Sequence, residues 1–399
     1  MIQTNDAWKR IALDPYRHTT FDLILNGQTI PPSRIAVAPE ITSALYTDRW
    51  GVGNVASSCI TFTYLPTPGT AKPKKAAKVQ MRCTIWPRDA DWVLGDEYDN
   101  KIVTERNQEI SLLDTQTITI GTWYINTRSV DTRGWVTMTC YDKMYRLDRY
   151  TVKRAAKKYG VTLTYPVSTA QILSLAEQVT GLIQPDLAGV DIDLSKDDAN
   201  EMTMREALGY VAAVHGANLI ADELGNKMVA VYYSAYNYDS PYIMVSEDDM
   251  DELVDETGDH IVYYDEDSAA MFVGLDRAAD LSLGDTLQPV TAVEVIGLDD
   301  ESWKANAVET IPNGMTYTFN WPLSSGSEGI AQWMVDALGW FVYTPWDGRS
   351  VLLDPCIQIG DCVIVDGVET VISDITATCG GAYVADCGAA GDYEIAEEL

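Results

Sequence analysis

The chain has 399 residues, 46% of them hydrophobic, and a formal net charge of −31, long enough for two to four domains with a core each. Residues 1–160 hold 22 of the 28 Lys and Arg and 16 of the 59 Asp and Glu, a net of +6, which leaves −37 on residues 161–399. An acidic half of that size excludes a grip on nucleic-acid phosphates by that half, and no apolar run is long enough for a secretory signal or a membrane span.

Met1 to about Tyr16 reads as an arm. Phe21–Leu25 and Gln28–Ile30 flank Asn26-Gly27, a pair that supplies the positive φ of a two-residue hairpin turn. Ser57–Tyr64 and Val79–Trp86 alternate strictly: Ile60, Phe62 and Tyr64 share one face, as do Val79, Met81, Cys83 and Ile85. That is the period of a half-buried strand. Between them Leu65–Lys78 is rich in Pro, Gly and Lys and reads as an exposed loop carrying Lys72, Lys74, Lys75 and Lys78. Thr117–Ile125 and Trp135–Tyr141 are further strands, and the set suggests a barrel. At Tyr141 the period changes: Tyr141, Met144 and Tyr145 recur at helical spacing and Leu147 follows, so Gly134–Tyr150 closes one module and opens the next.

Thr151–Gly160 is a short basic helix with Lys153, Arg154, Lys157 and Lys158. Ser168–Gly181 and Thr203–Gly216 are helices, each opened by a capping box (Ser168 with Gln171, Thr203 with Glu206) and stopped by glycine. Asn218–Ala221 and Met228–Tyr232 form a hairpin, completing an α/β insert. Ser246–Asp267 has eleven carboxylates and no Lys or Arg: Glu247, Asp248, Asp249, Asp251, Glu252, Asp255, Glu256, Asp259, Asp265, Glu266 and Asp267. Strands return at Ala292–Gly297, Met315–Phe319, Trp340–Thr344, Cys362–Val365, Val368–Ile375 and Tyr383–Cys387. A helix lies at Glu328–Leu338, and Asp366-Gly367 forms a hairpin turn.

No catalytic constellation emerges. His18, His215 and His260 are the only histidines, and His215 sits in the last turn of a helix, a structural position. Asp191, Asp193, Ser195 and Asp197 imitate the start of a calcium loop, but Lys196 stands where the turn needs Gly and Met202 where the ion needs Glu. The acidic stretch reads as a solvated face, with paired carboxylates for glycoside cleavage as the competing reading. The cysteines, Cys59, Cys83, Cys140, Cys356, Cys362, Cys379 and Cys387, lack a CxxC spacing and read as buried thiols of a protein made in a reducing cytoplasm. The 22 Tyr and 11 Trp against 5 Phe suit interfaces, where a ring is buried and its polar tip finds a partner, and equally suit β-rich cores with Tyr near the rim. No cofactor or metal is expected.

Four segments carry a resemblance. GVGNVASSCITFTY (Gly51–Tyr64) is similar to an early strand of the first barrel of phage tail hub proteins, the tail-tip or tail-associated lysin N-terminal proteins of siphophages and their relatives in the myophage baseplate hub. GTWYINTRS (Gly121–Ser129) followed by VTMTCYDKMYRLD resembles the end of that family's first domain. Thr203–Val231 resembles its middle domain's helix-then-hairpin, and LLDPCIQIGDCVIVDG (Leu352–Gly367) its late barrel strands.

The resemblance implies an α+β, mainly β chain: two similar β-barrel domains around an α/β insert, three copies making a pseudo-six-fold ring. The expected divisions are a first barrel at 1–150, the insert at 151–250 and a second barrel at 251–399. It implies a structural, non-enzymatic virion protein, assembled in the host cytoplasm. It would join tail tube or distal tail ring to the adhesion apparatus, beside the tape measure protein and a tail fibre or receptor-binding protein, and pass DNA without binding it. On this reading the eleven carboxylates line the channel or its tip and the lysine loop docks a neighbour. Because the chain stops at Leu399, soon after the second barrel, a cell-wall-degrading module is expected on a separate protein. A tail-associated hydrolase and a carbohydrate-binding adhesin are the alternatives.

Overall fold

The computed structural model describes residues 2, 4–12, 17–46, 50–68, 73–86, 115–187, 189–190, 192–232, 242–243, 262–263, 271–273, 278–297, 301–307, 314–321, 323, 328–339 and 341–391. The first third holds α1 (Asp6–Ala12), β1 (His18–Leu25), β2 (Gln28–Ile30), β3 (Ile35–Ala44), β4 (Cys59–Tyr64), β5 (Lys78–Trp86), β6 (Gln116–Val130) and β7 (Val136–Tyr141). Val79, Met81, Cys83 and Ile85 of β5 are fully buried, as are Ile60 and Phe62 of β4. Removing each large apolar side chain from water contributes roughly 1.5–3 kcal/mol, so the alternation seen in the sequence fixes which face of each strand turns inward. Asn26 and Gly27 take φ of 50° and 82° in the β1–β2 turn, as the Asn-Gly pair requires.

A 3₁₀ helix at Lys143–Arg149 leads into the helical unit: α2 (Val152–Tyr159), α3 (Thr169–Thr180), α4 (Asp198–Glu201), α5 (Met204–Val214), and the hairpin β8 (Ala217–Ala221) and β9 (Met228–Tyr232). Thr203 and Glu206 make a complete capping box. At α3 only half of the expected box forms. Ser168 accepts from the Gln171 backbone, but the Gln171 side chain reaches the Thr162 carbonyl instead of the cap.

The remainder holds β10 (Tyr242–Ile243), β11 (Val262–Tyr263), β12 (Met271–Val273), β13 (Asp280–Leu283), β14 (Val290–Ile296), β15 (Ser302–Asn306), β16 (Met315–Asn320), α6 (Glu328–Leu338), β17 (Trp346–Leu352), β18 (Cys362–Val365), β19 (Val368–Val371), β20 (Asp374–Cys379) and β21 (Tyr383–Ala389). Strands from both ends of the chain share one eleven-stranded sheet, in the order β13-β17-β21-β20-β3-β4-β7-β6-β5-β1-β2. The sheet curls, so that Phe21 of β1 meets Tyr383 of β21 at a ring separation of 6.1 Å although six strands lie between them. The architecture is mainly β with a few helices.

Several expectations change. The arm is anchored: Trp8 and Ile11 of α1 are buried, and the Trp8 indole donates to Asp354. The strand expected at Trp340–Thr344 is irregular over its described residues 341–344, and β17 starts at Trp346. The strand expected at Val368–Ile375 is two strands broken at Ile372-Ser373, because β19 pairs with β18 whereas β20 pairs with β3 and β21. The strand at Met315 runs parallel to β14, with β15 along β14's other edge.

Residues 50–56 strap the parts together. Trp50 stacks on Phe341 at 5.0 Å and meets Tyr317 edge-on at 4.9 Å. The Gly53 amide donates to Ala217, Asn54 to the Asn218 side chain and Ala56 to Leu219. Gly53 and Gly209 of α5 face each other so closely that a Cβ on Gly209 would lie 2.5 Å from the Gly53 carbonyl oxygen.

Candidate interaction surface

Where β7 meets the 3₁₀ helix, the buried Asp142 carboxylate gathers four donors. Oδ1 accepts from Ser57 Oγ at 2.8 Å and Met144 N at 2.9 Å, and Oδ2 from Ser58 N at 2.7 Å and Ser58 Oγ at 3.0 Å. Trp123 Nε1 extends the network by donating to Ser58 Oγ at 2.9 Å. Burial pushes the Asp142 carboxyl above its ordinary value, against the pull of those donors. A cavity of about 70 Å³ beside it is walled by Trp123, Asp222, Glu223, Ile357 and Tyr383. Sequence reading missed Asp142. Its signal was an aspartate directly after a period-two run, in the position that caps the following turn.

On the outer side a cleft of about 260 Å³ is lined by Tyr124, Tyr141, Tyr145, Tyr150 and Tyr159 with Arg146 and Arg149. Tyr141 and Tyr145 stack at 4.3 Å, and the Arg149 guanidinium lies 5.5 Å above the Tyr145 ring. Lys143 and Arg146 are structural cations: Lys143 donates to the Gly181 and Gly225 carbonyls, Arg146 to Thr180 at the end of α3. Burial lowers the Lys143 pKa. Arg205 locks α5 to the 3₁₀ helix through Asp148 and the carbonyls of Val55 and Met144.

The basic loop lies at one end of the sheet. Lys74, Lys75 and Lys78 are exposed, and Lys72 falls outside the described residues. Lys74, Lys75, Arg34 and Leu65 line a groove of about 570 Å³ along the β1–β2 hairpin. All eleven carboxylates from Glu247 to Asp267 lie outside the described residues, as do His260 and Asp191. His18 stacks on Trp86, and His215 caps α5 with its ring Nδ1 on the Val211 carbonyl, the structural position expected. No cluster of three metal-ligating side chains occurs among the described residues, and no helix there is long and apolar enough to cross a membrane. All seven cysteines are free. Burial raises every thiol, pushing Cys140 and Cys379 to about 12.

No family model and no curated protein matches the chain. Solved structures similar to it include three tail proteins. The 43 kDa tail protein of prophage MuSo2 from Shewanella oneidensis is 12% identical over 92% of this chain and 97% of that one, with a TM-score of 0.44. A tail protein from Neisseria meningitidis MC58 is 10% identical over 93% and 96%, with a TM-score of 0.43. The prophage tail protein gp18 from Listeria monocytogenes EGD-e is 10% identical over 92% and 94%, with a TM-score of 0.45.

Proposed function

We propose that the chain is a structural component of a phage tail tip, the hub that joins the tail tube or distal tail ring to the adhesion apparatus. The observation that carries this reading is where the four resembling segments fall. Gly51–Tyr64 runs from the strap into β4, the stretch ending at Tyr150 joins β7 to the helical unit, Thr203–Val231 is helix α5 followed by the β8–β9 hairpin, and Leu352–Gly367 leads through β18 into its hairpin turn. The strap, the Asp142 network and the Arg205 contacts tie the sheet to the helical unit, which suits a ring subunit that carries load. In this reading the copies form a trimer, the division into barrels and insert follows the bounds given above, and the chain works as scaffold without catalysis.

Light scattering on the purified chain tests the ring. A mass near three times 44.0 kDa is expected. A monomer at every concentration would overturn the trimeric hub and favour the hydrolase, to be sought by zymography on peptidoglycan. The carboxylates from Glu247 to Asp267 have a role in the same reading: a wall of like charge repels DNA in transit and releases no counterions to it. Exchanging those residues for amides should slow DNA ejection, and unchanged ejection kinetics would remove them from the wall.

A further inference from the structure

The eleven-stranded sheet has two unlike ends. At one, β2 pairs only with β1 among the described residues, so its outer backbone groups meet no neighbouring strand. Beside it runs the 570 Å³ groove with Arg34, Lys74 and Lys75, and with Leu65 at 38% exposure. At the other end β13 pairs only with β17 among the described residues. That end shows Leu283 at 37% exposure and the exposed carboxylates Asp280, Asp285 and Asp347. Arg349 lies opposite Asp280 and within 3.6 Å of Asp347, which leaves the end net acidic.

Unpaired edges invite another strand, and monomeric proteins usually block them. Here the two ends differ in charge sign and each offers an exposed leucine. We propose that β2 with its lysine groove docks against β13 of a second copy of this chain, so that copies join head to tail. The contact uses different patches on its two sides, and such contacts close into rings when the rotation fits. The inference rests on the trimeric reading above and assigns its interface: Arg34, Lys74 and Lys75 of one copy face Asp280 and Asp285 of the next. Opposite charges at that join also set its direction, because two basic or two acidic ends repel.

Light scattering of charge variants of the full chain tests it. All exchanged residues are exposed, so the fold is retained, checked by an unchanged melting temperature. Lys74→Glu with Lys75→Glu should shift the protein to monomer, weakening assembly by at least about tenfold. Adding Asp280→Lys and Asp285→Lys to that variant should restore the oligomer. Lys157→Glu with Lys158→Glu, on α2, changes the net charge equally and should leave assembly intact. If the unmodified chain is trimeric and the Lys74/Lys75 variant stays trimeric, the join is overturned and the hub reading stands. If the four-residue variant stays monomeric, the pairing of these two ends is overturned. If the unmodified chain is monomeric throughout, the trimeric reading falls and the join with it.

Discussion

Gly209→Ala should be among the most damaging single substitutions in the protein. The added Cβ would lie 2.5 Å from the Gly53 carbonyl oxygen, a backbone atom of the strap. The strap has little freedom to retreat. Gly53 sits at φ +83° and its amide is held by Ala217, while Trp50 is fixed between Phe341 and Tyr317. Overpacking against a side chain costs about 1–3 kcal/mol; against an immobile carbonyl we expect about 3 kcal/mol or more, seen as a fall of several degrees in melting temperature. Gly380→Ala is the control, since nothing stands within 4 Å of its added Cβ. It should melt within about a degree of the unmodified chain, as surface changes of under ~0.5 kcal/mol do. If Gly209→Ala melts with Gly380→Ala, the strap is not tightly held against α5.

The second large effect is expected at Asp142. Alanine there leaves Ser57 Oγ, Ser58 N, Ser58 Oγ and Met144 N without their acceptor in a buried site. An orphaned buried donor costs about 1–3 kcal/mol, although hydroxyls can turn elsewhere, so a total of about 3–5 kcal/mol is expected in a chemical-denaturation midpoint. Asparagine retains the acceptor facing Ser57 and Met144 but turns an NH₂ toward the Ser58 amide, and should fall between. The pH profile reports the same group. Burial holds the folded carboxyl above its ordinary 3.8, so its contribution is fully present below that value and declines as pH rises through the raised one. Asp142→Asn should remove that part of the slope; an unchanged profile would mean that the carboxyl titrates as an ordinary one.

Local patterning was legible wherever a single strand or helix carries its own signal. The alternation in β4 and β5, the Asn26-Gly27 and Asp366-Gly367 turns, and the Thr203–Glu206 box all form as their residues dictate. β3 was not legible, although it joins the two parts of the sheet, because Pro39 interrupts a run that otherwise reads as a strand. The structure accommodates it with two register shifts, one before it between Ile35 and Val37 and one spanning it between Val37 and Glu40. The parallel pairing of β14 with β16 was equally hidden, since sequence proximity favours a hairpin and β15 takes that place. Of the expected surface residues, the lysines of the loop could be placed because charge and Pro-Gly content mark exposure. The tyrosine cleft could not, because Tyr124, Tyr141, Tyr145 and Tyr159 come from four elements that only the fold assembles.

The pairing of β3 with β20 has a consequence for how the protein is made. Asp374 lies opposite Ala44, roughly 330 positions later in the chain, and contacts so distant in sequence slow folding because the intervening loop must close first. During synthesis the ribosome releases β1 to β7 long before β20 exists, so the inner edge of β3 waits unpaired while the helical unit emerges and folds. Domain-by-domain maturation from the N-terminus is therefore unavailable to the sheet as a whole. The nascent first third spends most of translation as a half-finished surface, the state in which helper factors have most to hold and premature association with another nascent chain has most to seize.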